Sequence, residues 1–109
     1  MAAVQSVLAS GGEVRGRRLL SEAGCGRALD VQFSGQDEVL GAPITYGMGY
    51  AVQGRTCSWG GWGGWGGSVA LVDLDARMAV AYVMNQMVEQ GPMGDDRGLA
   101  IVMAAYASL

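Results

Sequence analysis

Three Trp-Gly-Gly units run directly into an apolar stretch, and this feature constrains the fold of the chain most. Each unit is a tryptophan followed by two glycines, and Ser68 separates the last unit from the apolar residues 69–72. An apolar run of this length, bounded by turn residues, predicts a β-strand that is covered on both faces. Residues 73–77 predict a turn and residues 78–85 a returning strand, so the sequence predicts an antiparallel hairpin here.

The amino-terminal part predicts two helices. Residues 2–10 predict the first, which the following pair of glycines ends. Ser21 predicts the N-cap of the second helix, which ends near Asp30, because a serine side chain accepts a hydrogen bond from the first helical turn. Leu19 and Leu20, just before this cap, are predicted to be buried.

The middle of the chain predicts a loop followed by a strand. Residues 35–43 predict the loop. Residues 46–52 alternate bulky side chains with glycine, which predicts a strand with its large side chains on one face. Residues 53–56 predict the turn that follows.

The last element predicted is a terminal helix capped by Asp95 or Asp96. Its apolar residues recur at the spacing i, i+3, i+4 and i+7, which predicts one buried stripe. These residues are Leu99, Val102, Met103 and Tyr106. The element order predicts an α+β fold, in which an antiparallel sheet of about three strands carries N-terminal helices and a C-terminal helix.

The composition excludes several classes of function. The chain has no histidine, and its seven basic residues are all arginine, so it cannot contain Ser-His-Asp or Cys-His catalysis or most kinds of zinc site. A net charge of −3 without a basic stripe argues against a nucleic-acid partner. Half of the residues are apolar and 16% are charged, so we expect other protein to cover part of the surface, or self-association through it.

The sequence predicts a cytoplasmic protein without a membrane partner. The start of the chain lacks the basic residues of a signal peptide, and no run reaches the roughly 18 apolar residues that a membrane span needs.

The two cysteines, Cys25 and Cys57, are predicted to be free thiols, with a single disulfide as the alternative. Cys25 lies in a predicted helix without a neighbouring base. Asp73 and Asp75 have the spacing of a metal-binding pair, but their place in a hairpin turn without a third ligand predicts a structural role.

The Trp-Gly-Gly units allow three interpretations. A flexible low-complexity tract is one, although the tract continues without interruption into a strand. An aromatic platform for sugars or single-stranded bases is another, although a period of three does not keep side chains on one face of a strand. The third concerns the backbone: paired glycines at the start of a strand let a ligand approach main-chain N–H groups, which can donate to a developing oxyanion.

Several segments together resemble a known family. Trp-Gly-Gly-Trp-Gly-Gly-Ser is followed by Val-Asp-Leu-Asp-Ala-Arg-Met and Ala-Tyr-Val-Met-Asn-Gln-Met, and Leu19-Leu-Ser, Tyr46-Gly-Met-Gly-Tyr and Gly94-Asp-Asp-Arg accompany them. In this order they resemble the serine esterases of the β-lactamase/penicillin-binding-protein superfamily, which are class C β-lactamase-like enzymes also called family VIII carboxylesterases. The likeness covers nearly the whole chain, and it implies that residues 1–109 are the C-terminal portion of one such domain, with a partial β-lactamase/transpeptidase-like fold.

The resemblance implies three active-site motifs, of which this chain carries one. Ser-x-x-Lys is excluded because the chain has no lysine, and the tyrosine motif would lie upstream. The third motif matches the triplet Trp62, Gly63 and Gly64, which would bind substrate together with Trp59, and the backbone N–H of Trp65 would form half of the oxyanion hole. Since there is one unit too many, the alternative register takes residues 59–61 as the triplet and Trp62 as the donor.

The function implied by this resemblance is serine hydrolysis of an ester or β-lactam through an acyl-enzyme, without a cofactor or metal. The chain would supply the wall of the active site and would be inactive alone. Its implied partners are a small-molecule ester or lactam in the complete protein and an upstream N-terminal segment of the same fold. The alternative is a non-catalytic binding or scaffold module derived from that fold.

Overall fold

The computed structural model of the protein describes residues 1–54, 56–57, 64, 66–88 and 96–109. These residues form three helices, which are α1 (Ala2–Ala9), α2 (Glu22–Arg27) and α3 (Asp96–Ala107). They also form eight strands, which are β1 (Glu13–Val14), β2 (Arg17–Arg18), β3 (Phe33–Asp37), β4 (Ala42–Tyr46), β5 (Val52–Gln53), β6 (Thr56–Cys57), β7 (Val69–Asp73) and β8 (Met78–Tyr82). In the part of the chain described, no helix is long and apolar enough to cross a membrane.

The strands pair in three antiparallel sheets. The largest has four strands in the order β5-β6-β7-β8, and the hairpins β1-β2 and β3-β4 form two-stranded sheets. In β7-β8 the register pairs Val69 with Tyr82 and Val72 with Ala79. The predicted α+β class is confirmed, with four strands in the main sheet where about three were expected.

Helices cover both faces of the β7-β8 hairpin. On one face, Val72 packs with Leu8 of α1 and Cys25 of α2 in the hydrophobic core. On the other face, α3 lies so close that a Cβ atom on Gly98 would be 3.0 Å from Val69 Cγ1. Leu71 and Val72 are fully buried as a result, which confirms the prediction of a strand covered on both sides.

The turn between α1 and α2 depends on Gly12. This residue has a φ of +92°, and its carbonyl accepts hydrogen bonds from the N–H groups of Leu19 and Leu20. A Cβ atom there would lie 2.1 Å from the carbonyl oxygen of Leu20, so only glycine fits. The predicted N-cap is also confirmed, because the Ser21 hydroxyl accepts the N–H of Gly24 at 3.0 Å.

The structure corrects two predictions in the middle of the chain. The predicted loop at residues 35–43 is wrong, since these residues belong to the β3-β4 hairpin and its turn. The predicted strand at residues 46–52 is also wrong. Tyr46 ends β4, and the chain then bends back, with the N–H of Gly47 donating to the Tyr50 carbonyl at 2.8 Å. The turn predicted at residues 53–56 is consistent with the pairing of Gln53 with Thr56.

One prediction of burial is wrong and another holds only in part. Leu19 and Leu20 are 64% and 43% exposed, because nothing in the described part of the chain covers them. In α3 the predicted stripe is confirmed at Val102, which is buried together with Gly98, and is wrong at Leu99 and Met103, which are exposed. Gly98, which has no side chain, lets the helix approach the sheet closely at that point.

Candidate active site

The chain folds into a closed turn just before β7, at the end of the Trp-Gly-Gly units. The N–H of Gly67 donates to the carbonyl of Gly64 at 2.8 Å, and the N–H of Gly64 donates to Ser68 Oγ at 3.1 Å. Gly67 has a φ of +107°, a conformation that favours glycine. Both polar backbone groups of Gly64 are therefore used within the turn, which fixes how the chain enters β7.

Two neighbouring segments hold this turn in place. Gly66 is buried, and a Cβ atom on it would lie 2.7 Å from Met87 Cγ and 2.8 Å from Met84 Cε. On another side, a Cβ atom on Gly98 of α3 would be 3.6 Å from the carbonyl oxygen of Gly67. The turn is packed between the segment that follows β8 and the first turn of α3, so its backbone has well-defined surroundings.

The other end of β7 is fixed by Asp73, which is 7% exposed. Its Oδ1 accepts the N–H groups of Asp75 and Ala76, each at 2.9 Å, and its Oδ2 accepts the hydroxyl of Tyr106 at 2.6 Å. The predicted structural role of Asp73 is therefore confirmed. Asp75 contributes its backbone to the same turn, and no group of three or more possible metal-ligating His, Cys, Asp or Glu side chains occurs among the described residues.

Of the predicted site residues, Gly64 lies in the described part of the chain, and it is exposed at the turn. Trp59, Trp62, Gly63 and Trp65 lie outside the described residues, and so does the alternative triplet at 59–61. The structure therefore brings together Gly64 and Ser68 and the strand that they precede. This arrangement presents a fixed stretch of backbone just before the buried strand β7, where its polar groups can contact a ligand.

The described surroundings of the turn contain residues that the sequence analysis missed. Met84 and Met87 support Gly66, and their spacing of three residues just after a strand is a weak signal of such packing. Tyr106 was assigned to an apolar stripe, but its hydroxyl is the partner of Asp73. An acidic residue at the end of an otherwise apolar strand is the signal that could have indicated such a partner.

Shifted pKa values occur away from this turn, in the β3-β4 hairpin. The N–H of Leu40, the hydroxyl of Tyr46 and the N–H of Val39 donate to Asp37 and lower the pKa of its carboxyl group. The same carboxylate raises the pKa of the Tyr46 hydroxyl, because it stabilises the protonated form. These shifts arise from a structural hydrogen-bond network within one hairpin.

Comparisons with known proteins agree on the family. The β-lactamase family model matches residues 2–104. A penicillin-binding-protein homolog from Caulobacter crescentus is similar, with 35% identity, a TM-score of 0.83 and coverage of 99% of this chain and 30% of its own. A family VIII carboxylesterase is similar at 31% identity, also with a TM-score of 0.83 and coverage of 99% of this chain and 30% of its own. A comparison with curated protein sequences gives no match.

The chain therefore belongs to the β-lactamase family, and the resemblance seen in its sequence is confirmed. Both solved structures have the α+β architecture found here, over nearly all of this chain. The chain spans about 30% of the length of these solved structures.

Proposed function

We propose that the chain supplies one wall of a serine hydrolase active site, in a domain whose nucleophilic serine lies outside these 109 residues. The observation that carries the proposal is the family match over residues 2–104, joined to the closed turn that leads from the Trp-Gly-Gly units into β7. In this proposal the third active-site motif is Trp62-Gly63-Gly64, and the strand after it lines the substrate cleft.

The reaction we propose is acyl transfer to serine followed by hydrolysis. The serine oxygen attacks the carbonyl carbon of an ester or β-lactam, its proton passes to the lysine-tyrosine machinery, and the carbonyl oxygen becomes an oxyanion. Two backbone N–H groups then donate to that oxyanion, one from the serine and one from Trp65. Collapse of the intermediate expels the alcohol or opens the lactam ring, and water releases the acyl group.

The role of the described turn in this proposal is to hold the donor in position. The residue before Trp65 has both backbone hydrogen-bonding groups engaged, and the residue after it is buried against Met84 and Met87. A backbone that does not have to reorganise during the reaction stabilises developing charge most effectively. These contacts support the proposal that Trp65 provides the oxyanion donor.

The first test is whether the isolated chain forms an acyl-enzyme. The chain has no lysine and therefore no Ser-x-x-Lys, so we expect a fluorophosphonate probe to label none of its serines. Intact-mass spectrometry after incubation measures this directly, with the solved family VIII carboxylesterase as the positive control. A stoichiometric adduct on any serine of the chain would contradict the proposed division of the active site.

The second test restores the missing part. In a chimera, this chain replaces the aligned segment of the family VIII carboxylesterase, and we expect the chimera to hydrolyse a p-nitrophenyl ester. A folded chimera without hydrolytic activity would instead favour the non-catalytic binding or scaffold module.

The same chimera decides between the two registers of the triplet. Trp65→Pro removes the proposed oxyanion donor N–H, so we expect kcat to fall by about 100- to 1,000-fold. Trp62→Pro removes a substrate-binding side chain in this register, so we expect it mainly to raise KM, with a much smaller fall in kcat. The reverse order of effects would assign the donor to Trp62 and the triplet to residues 59–61.

A further inference from the structure

One apolar groove on the described surface is unusual because three of the large apolar side chains that line it are exposed. It lies between α1, the segment after β2 and the bend before β5, and it is lined by Val4, Val7, Leu19, Leu20, Ala28 and Tyr50. Val4 is 73% exposed and Leu19 is 64% exposed. Apolar side chains that cluster in this way on a surface mark a contact with other protein.

The groove is continuous with the hydrophobic core. Leu8 lines its floor and also belongs to the core cluster, in which Ala28 and Tyr50 are peripheral members. The Tyr50 hydroxyl donates to Gln5 Oε1 at 2.8 Å, which fixes the aromatic ring beside α1. A segment that filled the groove would therefore enlarge the existing core, as a further layer of the same domain does.

The comparisons indicate which segment this is. The chain aligns over 99% of its length with two solved structures, yet it accounts for 30% of each of them. Most of the fold to which it belongs therefore lies outside these 109 residues and needs a surface on which to pack. The described core is correspondingly small, since Leu71 and Val72 are its largest fully buried side chains.

We propose that this groove is the seam of the domain, that is, the surface on which the rest of the β-lactamase-family fold packs. The segment that fills it is apolar and lies outside these 109 residues. The proposal rests on the proposed function for the identity of the missing part. It adds the face by which that part is held: the exposed side of α1 together with Leu19 and Leu20. Leu19 and Leu20 are thus core residues of the complete domain that are uncovered in this chain.

The seam is tested by the reactivity of single cysteines in the isolated chain and in the carboxylesterase chimera. Val4→Cys and Leu19→Cys are introduced separately into a Cys57→Ser background, and Val39→Cys is the matched control. Val39 is 93% exposed and lies in the turn of the β3-β4 hairpin, away from the groove. Buried Cys25 serves as an internal reporter of folding, since it reacts only if the core opens. Modification by iodoacetamide is scored for each cysteine by peptide mass spectrometry.

We expect both groove cysteines to react readily in the isolated chain and at least about tenfold more slowly in the chimera, while V39C reacts equally in both. Groove cysteines that stay as reactive as V39C in a chimera with unreactive Cys25 would overturn the proposal. A chimera in which Cys25 itself reacts would overturn it too, because the groove then fails to join the two parts. Protection of V4C and L19C in a dimer of the isolated chain, without protection in the chimera, would assign the groove to a second copy.

The readout is independent of catalysis. Ester hydrolysis by the chimera tests the proposed function, whereas cysteine protection tests the seam. A protected groove in an inactive chimera would retain the interface and reject the hydrolase role. An active chimera with unprotected groove cysteines would retain the hydrolase role and reject the interface.

Discussion

Two hairpins in this chain close with the same local chemistry, and they differ in what surrounds that chemistry. In β7-β8 the carboxylate of Asp73 accepts two backbone N–H groups of the turn, each at 2.9 Å, and a hydroxyl from Tyr106 at 2.6 Å. In β3-β4 the carboxylate of Asp37 likewise accepts two turn N–H groups, at 2.9 and 2.8 Å, and a hydroxyl from Tyr46 at 2.8 Å. Each aspartate is the last residue of its strand.

The difference lies in the origin of the tyrosine. Tyr106 belongs to α3 and is 33 residues from Asp73, so this hydrogen bond joins a helix to the central sheet. Tyr46 is nine residues from Asp37 in the same hairpin, so that bond joins the hairpin only to itself. The comparison shows that one turn motif can serve tertiary structure or merely local structure, according to the element that supplies its third donor.

The largest expected effect comes from removing the carboxylate of Asp73. We expect Asp73→Ala to lower the free energy of unfolding by about 3 kcal/mol, because it leaves the Tyr106 hydroxyl and two turn N–H groups without their acceptor beside a buried strand. Asp37→Ala is the matched control and should cost much less, since water can replace the carboxylate at the exposed turn that follows Asp37. Urea unfolding followed by far-ultraviolet circular dichroism measures both. Equal losses would show that the turn alone, rather than its surroundings, determines the contribution.

The same contrast explains what could be predicted from sequence. The β7-β8 hairpin was predicted because its apolar run and its turn lie next to each other in the chain. The β3-β4 hairpin was missed because it has no apolar periodicity. Its pairing depends on the Asp37 turn and on the stacking of the Phe33 and Tyr46 rings, whose centroids are 6.3 Å apart. Such pairings are visible only once the register is known.

Burial was mispredicted where it depends on partners that the sequence does not display. Leu19 and Leu20 are apolar, but the described chain does not cover them. In α3 the helical period is right and Val102 is buried as predicted, but Leu99 and Met103 are exposed, because Gly98 is the residue that lies close against the sheet. The candidate triplet at residues 62–64 keeps an alternative register at residues 59–61, because Trp-Gly-Gly repeats three times and each unit offers the same local chemistry.

A smaller effect is expected from removing only the tyrosine hydroxyls. Tyr106→Phe keeps the ring and removes one hydrogen bond to a charged group, so we expect a loss of about 1.5 kcal/mol in the free energy of unfolding. Tyr46→Phe should have a distinctly smaller effect. Thermal and urea unfolding of the two variants gives the comparison, and hydrogen exchange of α3 amides shows whether the helix has loosened. Unchanged exchange in α3 would mean that Tyr106 does not tie the helix to the sheet.

The smallest expected effect is a pH dependence confined to the exposed hairpin. The pKa of Asp37 is lowered first by the Leu40 N–H and then by the Tyr46 hydroxyl. A carboxyl group with a depressed folded-state pKa contributes stability that is fully present above its unfolded-state value and is lost as the pH falls through the folded-state value. The stability difference between the wild type and Asp37→Asn should therefore be constant above about pH 5 and shrink below about pH 4.

An NMR titration should place the Asp37 pKa below the ordinary 3.8. Tyr46→Phe should raise this pKa part of the way back, since the backbone donors remain. An Asp37 that titrates at its ordinary value in both proteins would show that its three hydrogen bonds are not maintained in solution.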